Sequence, residues 1–223
     1  MVKIVAVADT HGEHDRLDIP MGDLLVHAGD WTMMGSKKKI KAFLQWVNSL
    51  PHQHKVIIAG NHDLDMDPTT PMYGDLKMKD LIDSFPSIHY LCDSGVTLQV
   101  GEPSQQIKIW GSPFTPTFQD WVFQYDVGER SWSDIPNDTD ILITHGPPHG
   151  ILDSINEKSG GGCPALRERV ETIKPKVHIF GHLHEDGGST MLYDGTLFVN
   201  AAIGYYDEWF PEEIPQAVTV HIT

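Results

Sequence analysis

The sequence has 223 residues, of which 40% are hydrophobic and 21% charged, a composition typical of a globular protein. Its formal net charge of −15 argues against a protein that gains affinity by neutralising many phosphates along a nucleic-acid duplex. The two cysteines, Cys92 and Cys163, make neither a disulfide framework nor a cysteine metal cluster. We therefore expect one soluble domain over residues 1–223 in the cytoplasm, without a signal peptide or a membrane span.

Three apolar runs in the first third of the chain each end on a polar motif. They are residues 2–8 before Asp9-Thr10-His11-Gly12, residues 24–28 before Gly29-Asp30, and residues 55–59 before Gly60-Asn61-His62-Asp63. Nearly continuous apolar runs of this length are typical of parallel strands that are covered on both faces. A helix is predicted over 36–50, because its apolar residues keep helical spacing and Pro51 follows it.

The middle of the chain predicts shorter elements. A helix is expected over 76–85, a short strand over 88–91, and a hairpin formed by 96–100 and 106–110. Residues 111–135 then carry several aromatic side chains with little periodicity. A loop of this length inside a compact domain tends to be functional, so we expect it to frame a site. The alternative is that these aromatic side chains pack a second small core.

Two further buried strands in the last third of the chain end on histidines. They are residues 140–144 before His145-Gly146-Pro147-Pro148, and residues 176–180 before Gly181-His182-Leu183-His184. A helix starting at Pro164 lies between them. A hairpin over 190–193 and 196–200 and a last strand over 216–222 follow. The mixture of crossover helices and antiparallel hairpins favours two packed sheets with helices outside.

Polar residues at the ends of five predicted strands point to a metal site. The candidate ligands are Asp9, His11, Asp30, Asn61, His145, His182 and His184. The carboxyl ends of parallel strands share one edge of a sheet, and ligands bind at that edge. Carboxylate, amide and imidazole ligands without a thiolate suit manganese, iron, zinc or nickel. Because this set exceeds what one ion needs, we expect two divalent ions with Asp30 as the shared ligand.

Two divalent ions about 3.5–4 Å apart form a clamp for displacement at phosphorus, in which a bridging hydroxide attacks the phosphoester. The leaving alkoxide then needs a proton, and His62 is the candidate general acid because it follows the predicted ligand Asn61. We expect the Asp63 carboxylate to contact the His62 imidazole, where it would fix the tautomer and favour the protonated form.

These motif blocks resemble the calcineurin-like metallophosphoesterase superfamily. The blocks are Asp9-Thr-His11, Gly29-Asp30, Gly60-Asn61-His62-Asp63, His145 and Gly181-His182-Leu-His184. The intervening segments Trp110-Gly-Ser-Pro-Phe-Thr-Pro and Asp140-Ile-Leu-Ile-Thr-His-Gly-Pro-Pro are similar to one subgroup. That subgroup comprises the metallophosphoesterase-domain proteins of the vertebrate brain-expressed type and related bacterial class III phosphodiesterases.

The resemblance implies an α/β fold, a four-layer αββα sandwich of two mixed β-sheets flanked by helices. It places one metal on Asp9, His11, Asp30 and His184, and the second on Asp30, Asn61, His145 and His182. It also gives His62 the leaving-group proton. Manganese is the expected metal, with iron, zinc, nickel and magnesium as alternatives. The arginine that follows this Gly-Asp motif in protein Ser/Thr phosphatases is missing after Asp30, which argues against phosphoprotein specificity.

We therefore expect a metal-dependent phosphoesterase that hydrolyses phosphodiesters of the small-molecule or nucleotide type. A phosphomonoesterase or a nuclease with the same two-metal chemistry is the first alternative. A non-catalytic metal-binding scaffold is the second, disfavoured because Asp30, His62 and His184 are all present. The expected partner is a small phosphoester, not long nucleic acid or a membrane. The oligomeric state is open, with a dimer as one alternative.

Polar residues outside the motifs have separate expectations. His27 and His178 lie inside predicted strands, and we expect them to be buried and hydrogen-bonded. Asn200 is a candidate to hydrogen-bond behind a metal ligand. His149 is expected in a surface loop, with contact to a substrate phosphate as the alternative. Surface positions are also expected for four histidines in polar or terminal contexts, namely His14, His52, His54 and His221.

Overall fold

The computed structural model describes residues 1–67, 78–156, 158, 160–203 and 216–223. Two mixed β-sheets dominate this part of the chain. The first contains, in spatial order, β13 (Val218–Ile222), β1 (Val2–Val7), β2 (Leu24–Ala28), β3 (His54–Ile58) and β4 (Ile88–Tyr90). Strands β1 to β4 run parallel, and β13 pairs antiparallel to β1 at one edge. The carboxyl ends of β1, β2 and β3 therefore lie on the same side of this sheet.

The second sheet places its parallel strands in the centre and a hairpin at each edge. Its spatial order is β11 (Thr190–Tyr193), β12 (Thr196–Asn200), β10 (Val177–Phe180), β9 (Ile141–Thr144), β6 (Gln105–Ser112) and β5 (Ser94–Val100). Strands β12, β10, β9 and β6 are parallel, whereas β11–β12 and β5–β6 are antiparallel hairpins. The predicted hairpins are confirmed, and β9 and β10 end next to each other.

The helices cover the outer faces of the two sheets. Their bounds are Lys37–Ser49 for α1, Met78–Asp83 for α2 and Pro164–Ile173 for α3. Ser36 caps α1, since its Oγ accepts a hydrogen bond from the Lys39 amide at 3.3 Å. Pro164 opens α3 at a position where the missing N–H costs no helical hydrogen bond. None of the described helices is long and apolar enough to cross a membrane.

Three apolar cores separate the layers. The central core lies between the facing sheets and includes Ile4, Val26, Ile143 and Ile179. The second core joins the outer face of the first sheet to α1 and α2. The third joins the outer face of the second sheet to α3. This arrangement confirms the predicted four-layer αββα sandwich of two mixed sheets.

Element boundaries differ from the predictions by a few residues. Helix α2 begins at Met78, and the predicted start at residue 76 lies outside the described residues. The last strand begins at Val218, two residues later than predicted. The aromatic segment 111–135 contains a small parallel pair, β7 (Thr115–Pro116) and β8 (Gln124–Tyr125). A strand of two residues is too short to show a hydrophobic period in the sequence.

The expected surface positions of His14 and His52 are wrong. Both side chains are buried. The His14 ring packs 5.5 Å from the ring of Phe43 and 5.0 Å from that of Trp46. The His52 Nε2 lies 3.1 Å from the Pro20 carbonyl oxygen. Polar neighbours in the sequence were misleading here, because these contacts come from residues distant along the chain.

The burial of His27 and His178 is confirmed. The His27 Nε2 lies 3.1 Å from the Thr10 hydroxyl, and the His178 Nε2 lies 2.8 Å from the Thr144 hydroxyl. Burial disfavours the charged imidazole and lowers the pKa of each histidine to about 3. Both side chains are therefore neutral in the folded protein at physiological pH.

These two histidines should make the fold acid-sensitive. Their pKa is about 3 in the folded protein and 6.5 ordinarily, so the unfolded chain binds more protons between these values. The free energy of unfolding should fall as pH drops through that window, by about 1.4 kcal/mol per pH unit for each histidine. Urea unfolding with a chelator, at about pH 7 and about pH 5, measures this slope.

His178→Gln removes one of these two buried histidines, and exposed His221→Gln is the matched control. Between the two pH values the wild type and the control should lose about 2 kcal/mol more than His178→Gln. Equal losses in all three proteins would contradict a neutral, buried His178.

Candidate metal centre

The carboxyl ends of strands from both sheets meet at one site, called the mouth, where Asp9, Asp30 and His145 lie together. The Ala8 amide donates to the Ala201 carbonyl at 2.8 Å, and this bond joins the end of β1 to the end of β12. The Asp9 amide donates to the Gly29 carbonyl at 2.9 Å, and the Gly181 amide donates to the His145 carbonyl at 2.9 Å. Together with the parallel pairing of β3 to β2 and of β12 to β10, these backbone hydrogen bonds hold the five motif-bearing strand ends together. The candidate ligands therefore come into mutual contact.

The two carboxylates among the candidate ligands, those of Asp9 and Asp30, make corresponding contacts. Asp9 accepts the His182 amide on Oδ2 at 2.9 Å, while its Oδ1 lies 3.3 Å from the His184 Nε2. Asp30 accepts the His62 amide on Oδ1 at 2.9 Å, while its Oδ2 lies 3.3 Å from the His145 Nε2. One oxygen of each carboxylate is thus fixed by backbone, and the other is directed toward histidines.

The His145 imidazole is oriented for ligation by the contact of its far nitrogen. The His145 Nδ1 lies 2.9 Å from the Ala28 carbonyl, which accepts only, so Nδ1 carries a proton and Nε2 points to the carboxylates. The Asn61 Oδ1 lies 3.0 Å from that Nε2. The His182 ring lies 5.0 Å from the His145 ring, centroid to centroid. A hydrogen-bonded far nitrogen is the usual arrangement of a metal-ligating histidine.

Two sets of ligand atoms lie close enough to hold an ion. Asp9, His11 and His184 offer atoms within 4.8 Å of one another, and so do Asp9, Asp30 and His145. The structure therefore also brings Asp9 within reach of the group around His145, whereas the resemblance places it on one metal only. Asn61 and His182 adjoin the second set through His145.

The candidate ligands are suited to bind a metal ion, and the His11 ring is the clearest indication of this. Both nitrogens of this ring are buried, yet neither makes a hydrogen bond to any described residue. Its Nε2 lies 3.9 Å from the Asp30 Oδ2, which is too long for a hydrogen bond. A buried imidazole without partners is costly. A cation between His11, Asp9 and Asp30 would supply the missing contact.

The charged groups among the candidate ligands lie close enough to shift one another's pKa values. Burial raises the pKa of Asp30, but the His145, His11 and His62 imidazoles outweigh it and leave the pKa well below its ordinary value. Burial lowers the pKa of His145, but Asp30 and Asp9 outweigh it and raise the pKa to about 9. Burial and the neighbouring His145 lower the pKa of His182 to about 3. The carboxylates are thus ionised, and they attract positive charge into the mouth.

Close approach of ligand side chains explains three of the motif glycines. A Cβ atom on Gly181 would lie 2.1 Å from the Asp9 Oδ2, and one on Gly60 would lie 2.2 Å from the Asp30 Oδ1. These distances are far below van der Waals contact. A Cβ on Gly29 would lie 2.4 Å from the His145 Nδ1. The Gly-Asp, Gly-Asn-His and Gly-His patterns therefore leave room for ligands that come from other strands.

Four of the candidate ligands have left-handed backbone conformations. The φ angles are 57° for Asp9, 46° for His11, 56° for Asp30 and 70° for His182. Such conformations are uncommon outside glycine and cost about 1–3 kcal/mol each. They turn the chain sharply at the strand ends, so that the side chains face the mouth. Strain concentrated at one cluster is a mark of a functional site.

The predicted contact between Asp63 and the His62 imidazole is wrong. The His62 Nδ1 instead lies 2.8 Å from the Met33 carbonyl oxygen. The chain reverses here, since the Asp63 amide donates to the Gly60 carbonyl at 3.1 Å. Adjacent side chains in such a turn point apart, and the Asp63 carboxylate is directed away from the imidazole. The Met33 carbonyl can only accept a hydrogen bond, so the His62 Nδ1 carries a proton. The His62 Nε2 is then the nitrogen that can exchange a proton with a bound ligand.

Asp63 ties two of the motif loops together. Its carboxylate accepts hydrogen bonds from the Trp31 amide at 3.2 Å, the Thr32 amide at 3.0 Å and the Gly60 amide at 2.9 Å. The Thr32 hydroxyl donates a further bond at 3.0 Å. Burial and the Asp30 charge raise the pKa of Asp63 to about 7, although these donors oppose the rise. Asp63 thus holds the Asp30 loop against the His62 loop.

Asn200 lies behind the candidate ligands and holds the turn that carries two of them. The buried Asn200 Nδ2 donates to the Leu183 carbonyl at 2.8 Å, between His182 and His184. Its Oδ1 accepts the Ala202 amide at 3.1 Å, which ties this turn to the end of β12.

His149 lies at the surface. Its side chain is 51% exposed, and its Nδ1 lies 3.8 Å from the Asp153 Oδ2.

Two residues beside His62 had no distinguishing signal in the sequence. Met33 acts through its backbone carbonyl, which side-chain identity does not reveal. Trp121 lies with its ring centroid 3.9 Å from that of His62. It is one of several aromatic residues in a segment without periodicity, so patterning could not single it out. Trp121 places its part of the segment at the site, as predicted. The alternative of core packing also holds for part of the segment, because Phe123 and Trp132 are buried in the apolar cores.

Comparison with protein families and curated proteins gives consistent matches. The model of the family described as calcineurin-like phosphoesterase matches residues 2–186. Metallophosphoesterase domain-containing protein 1 of Homo sapiens and that of Mus musculus are each 38% identical over 225 residues, covering 90% of this chain. The chain spans 66% of the length of these two relatives. A UPF0046 protein of Caenorhabditis elegans is 36% identical over 211 residues, with 90% and 69% of the two chains covered.

Solved structures share the fold at low sequence identity. The protein TT1561 of Thermus thermophilus aligns with a TM-score of 0.61 and 11% identity, covering 90% of this chain and 88% of that one. Phosphopantetheinyl hydrolase from Mycobacterium tuberculosis aligns with a TM-score of 0.60 and 15% identity, covering 91% and 89%. These likenesses concern the arrangement of strands and helices.

Proposed function

This chain belongs to the calcineurin-like phosphoesterase family, and from that premise we propose that it is a metal-dependent phosphodiesterase acting on small substrates, nucleotides included. Family membership supports a hydrolase of phosphoester bonds. The observation that carries the proposal is the convergence of Asp9, Asp30 and their histidines at one buried mouth. Two carboxylates whose spare oxygens face imidazoles are a donor set for divalent cations, not for an organic cofactor.

We assign the ligands to two ions. Asp9, His11, Asp30 and His184 would hold the first, and Asp30, Asn61, His145 and His182 would hold the second, with manganese as the working metal. Divalent cations bound there would supply Lewis acidity, which neutralises phosphoryl oxygens and makes water a stronger acid. The ionised carboxylates of Asp9 and Asp30 favour such cations electrostatically.

His62 is the residue we propose for the leaving group. Its Nδ1 donates to the Met33 carbonyl, so a second proton on Nε2 is the one that can move. Transfer of this proton to the departing oxygen would prevent formation of a free alkoxide. The imidazole lies beside the cluster, with its ring centroid 4.9 Å from that of His11. The leaving group would therefore lie on the His62 side of the mouth.

Charge favours a diester over a monoester or a long nucleic acid. The chain has a formal net charge of −15, which repels polyanions at a distance. A phosphodiester carries one negative charge, and a monoester carries up to two at neutral pH. A monoesterase of the same type is the alternative, because the same donor set can bind either phosphoryl group.

Turnover of paired substrates tests the proposal. The full chain, freed of metal and reloaded with Mn²⁺, should hydrolyse bis-p-nitrophenyl phosphate with a higher kcat/KM than p-nitrophenyl phosphate. A higher value for the monoester would make the protein a phosphomonoesterase. Failure to hydrolyse either ester with Mn²⁺, Fe²⁺, Zn²⁺ or Ni²⁺ would reject the enzymatic function.

His62→Ala should separate metal binding from proton transfer. We expect kcat for a diester with a poor leaving group to fall by about 100-fold or more, the usual scale of general acid catalysis. The Mn²⁺ affinity measured by calorimetry should stay close to that of the wild type. Exposed His221→Ala is the matched control and should retain full activity. An unchanged kcat in His62→Ala would remove His62 from its proposed role.

A further inference from the structure

The His62 ring lies against an aromatic side chain from a distant part of the chain, at a tilt. The ring centroids of His62 and Trp121 are 3.9 Å apart, with an interplanar angle of 35°. Aromatic pairs in proteins usually have centroids about 4.5–7 Å apart, so this contact is close. His62 is 5% exposed, and Trp121 is half-buried against the core beneath α1. The indole therefore covers one face of the imidazole.

Among the described residues, two further contacts bear on the orientation of the imidazole. The Met33 carbonyl holds Nδ1 at 2.8 Å, which leaves the ring able to pivot about this hydrogen bond. The edge of the His11 ring borders it at 4.9 Å with an interplanar angle of 80°. Trp121 covers another side of the imidazole with its flat apolar surface. Without that surface, one hydrogen bond and the edge of the His11 ring would be left, among these contacts of the described residues, to set the direction of Nε2.

Trp121 is itself fixed to the loop that carries His62. The Val122 amide donates to the Asn61 carbonyl at 3.4 Å, and the Phe123 amide donates to the Asp67 Oδ2 at 3.3 Å. Phe123 is buried with a φ of 52°, a left-handed conformation that is strained for a bulky residue. The backbone beside Trp121 is thus held in a costly geometry, docked on the Gly60–Asp63 turn.

We propose that Trp121 is a positioning residue for His62. By stacking on the imidazole it holds Nε2 in the direction of the leaving oxygen, so that proton transfer needs no rearrangement of the side chain. This role rests on the function proposed above. It differs from a packing role in its consequence, because the benefit of Trp121 should appear only where the leaving group needs a proton.

The contact can be tested without turnover. In the zinc-loaded protein, which is diamagnetic, the indole should shift the ring-proton resonances of His62 upfield. Trp121→Leu keeps apolar bulk but removes the flat face, and it should return these resonances toward ordinary values. Trp121→Phe should keep most of the shift. Resonances of His62 that are the same in the wild type and in Trp121→Leu would overturn the stacking.

The catalytic consequence is tested in the Mn²⁺-loaded full chain with two diesters that differ only in a nitro group on the leaving phenol. For methyl phenyl phosphate, Trp121→Leu should lower kcat by about tenfold with KM little changed. For methyl p-nitrophenyl phosphate, whose leaving group needs little help, the loss should stay below about twofold. Trp121→Phe should recover most of the activity. Phe118→Ala, in the same segment and 62% exposed, is the control.

A double variant decides whether Trp121 acts through His62. In the His62→Ala background, Trp121→Leu should cause no further loss on methyl phenyl phosphate. An additional tenfold loss there, or equal losses on both substrates, would overturn the positioning role while leaving the proposed function intact. A wild-type protein that hydrolyses neither substrate would instead reject the proposed function, and the positioning role with it.

Discussion

Replacing Asp30 by asparagine should abolish phosphoester hydrolysis while leaving the fold intact. Asp30 is buried, and its Oδ2 is the atom that lies between His145 and His11. Asparagine keeps the shape of the side chain and can still accept the His62 amide on Oδ1. It also tolerates the left-handed backbone at this position, where φ is 56°. The variant therefore removes one negative charge and little else.

The loss of activity in Asp30→Asn should exceed the loss caused by substituting any residue that only supports a metal ligand. Changes to residues that only support metal ligands typically cost about 10–100-fold in metal affinity or activity. Asp30 is proposed to contact both ions, so kcat/KM for bis-p-nitrophenyl phosphate should fall further than in Asn200→Ala. Exposed Asp134→Asn is the matched control and should behave as the wild type. Activity of Asp30→Asn within tenfold of the wild type would contradict a shared carboxylate.

Asp63→Ala should produce the largest loss of stability among the site residues. The substitution leaves the Trp31, Thr32 and Gly60 amides and the Thr32 hydroxyl without their buried acceptor. Unsatisfied buried donors are costly, and we expect a loss of about 3–5 kcal/mol in the free energy of unfolding. Asp63→Asn should lose less, because it keeps one acceptor oxygen and because the pKa of about 7 makes the charge itself dispensable.

Urea unfolding at neutral pH with a chelator measures this loss free of metal binding. Exposed Asp134→Ala is the matched control, and it should stay within about 0.5 kcal/mol of the wild type. If Asp63→Ala loses no more than this control, the four hydrogen bonds do not hold the two loops together. A greater loss in Asn than in Ala would likewise contradict the role of the acceptor oxygens.

The part of the site carried by strand ends could be predicted from the sequence. Buried parallel strands give uninterrupted apolar runs, so a sudden Asp, Asn or His marks the end of the strand. Asp9, Asp30, Asn61, His145 and His182 follow this pattern. Parallel strands place such ends at one edge, and the structure brings these residues into contact there.

The parts that could not be predicted depend on turn geometry and distant contacts. The left-handed conformations of the ligands leave no trace in hydrophobic patterning. Asp63 follows His62 directly, yet the reversal of the chain separates the two side chains and gives His62 the Met33 carbonyl instead. Trp121 reaches His62 from a segment whose short strands β7 and β8 have no detectable period.

Manganese binding to the metal-free protein tests the central claim most directly. Calorimetric titration of the full chain should show two Mn²⁺ ions per chain, and Asp30→Asn should weaken the binding of both. Two bound ions that are lost together would support a pair sharing one carboxylate. A stoichiometry below one ion per chain, or titrations of the wild type and Asp30→Asn that superimpose, would contradict a paired metal centre at this mouth.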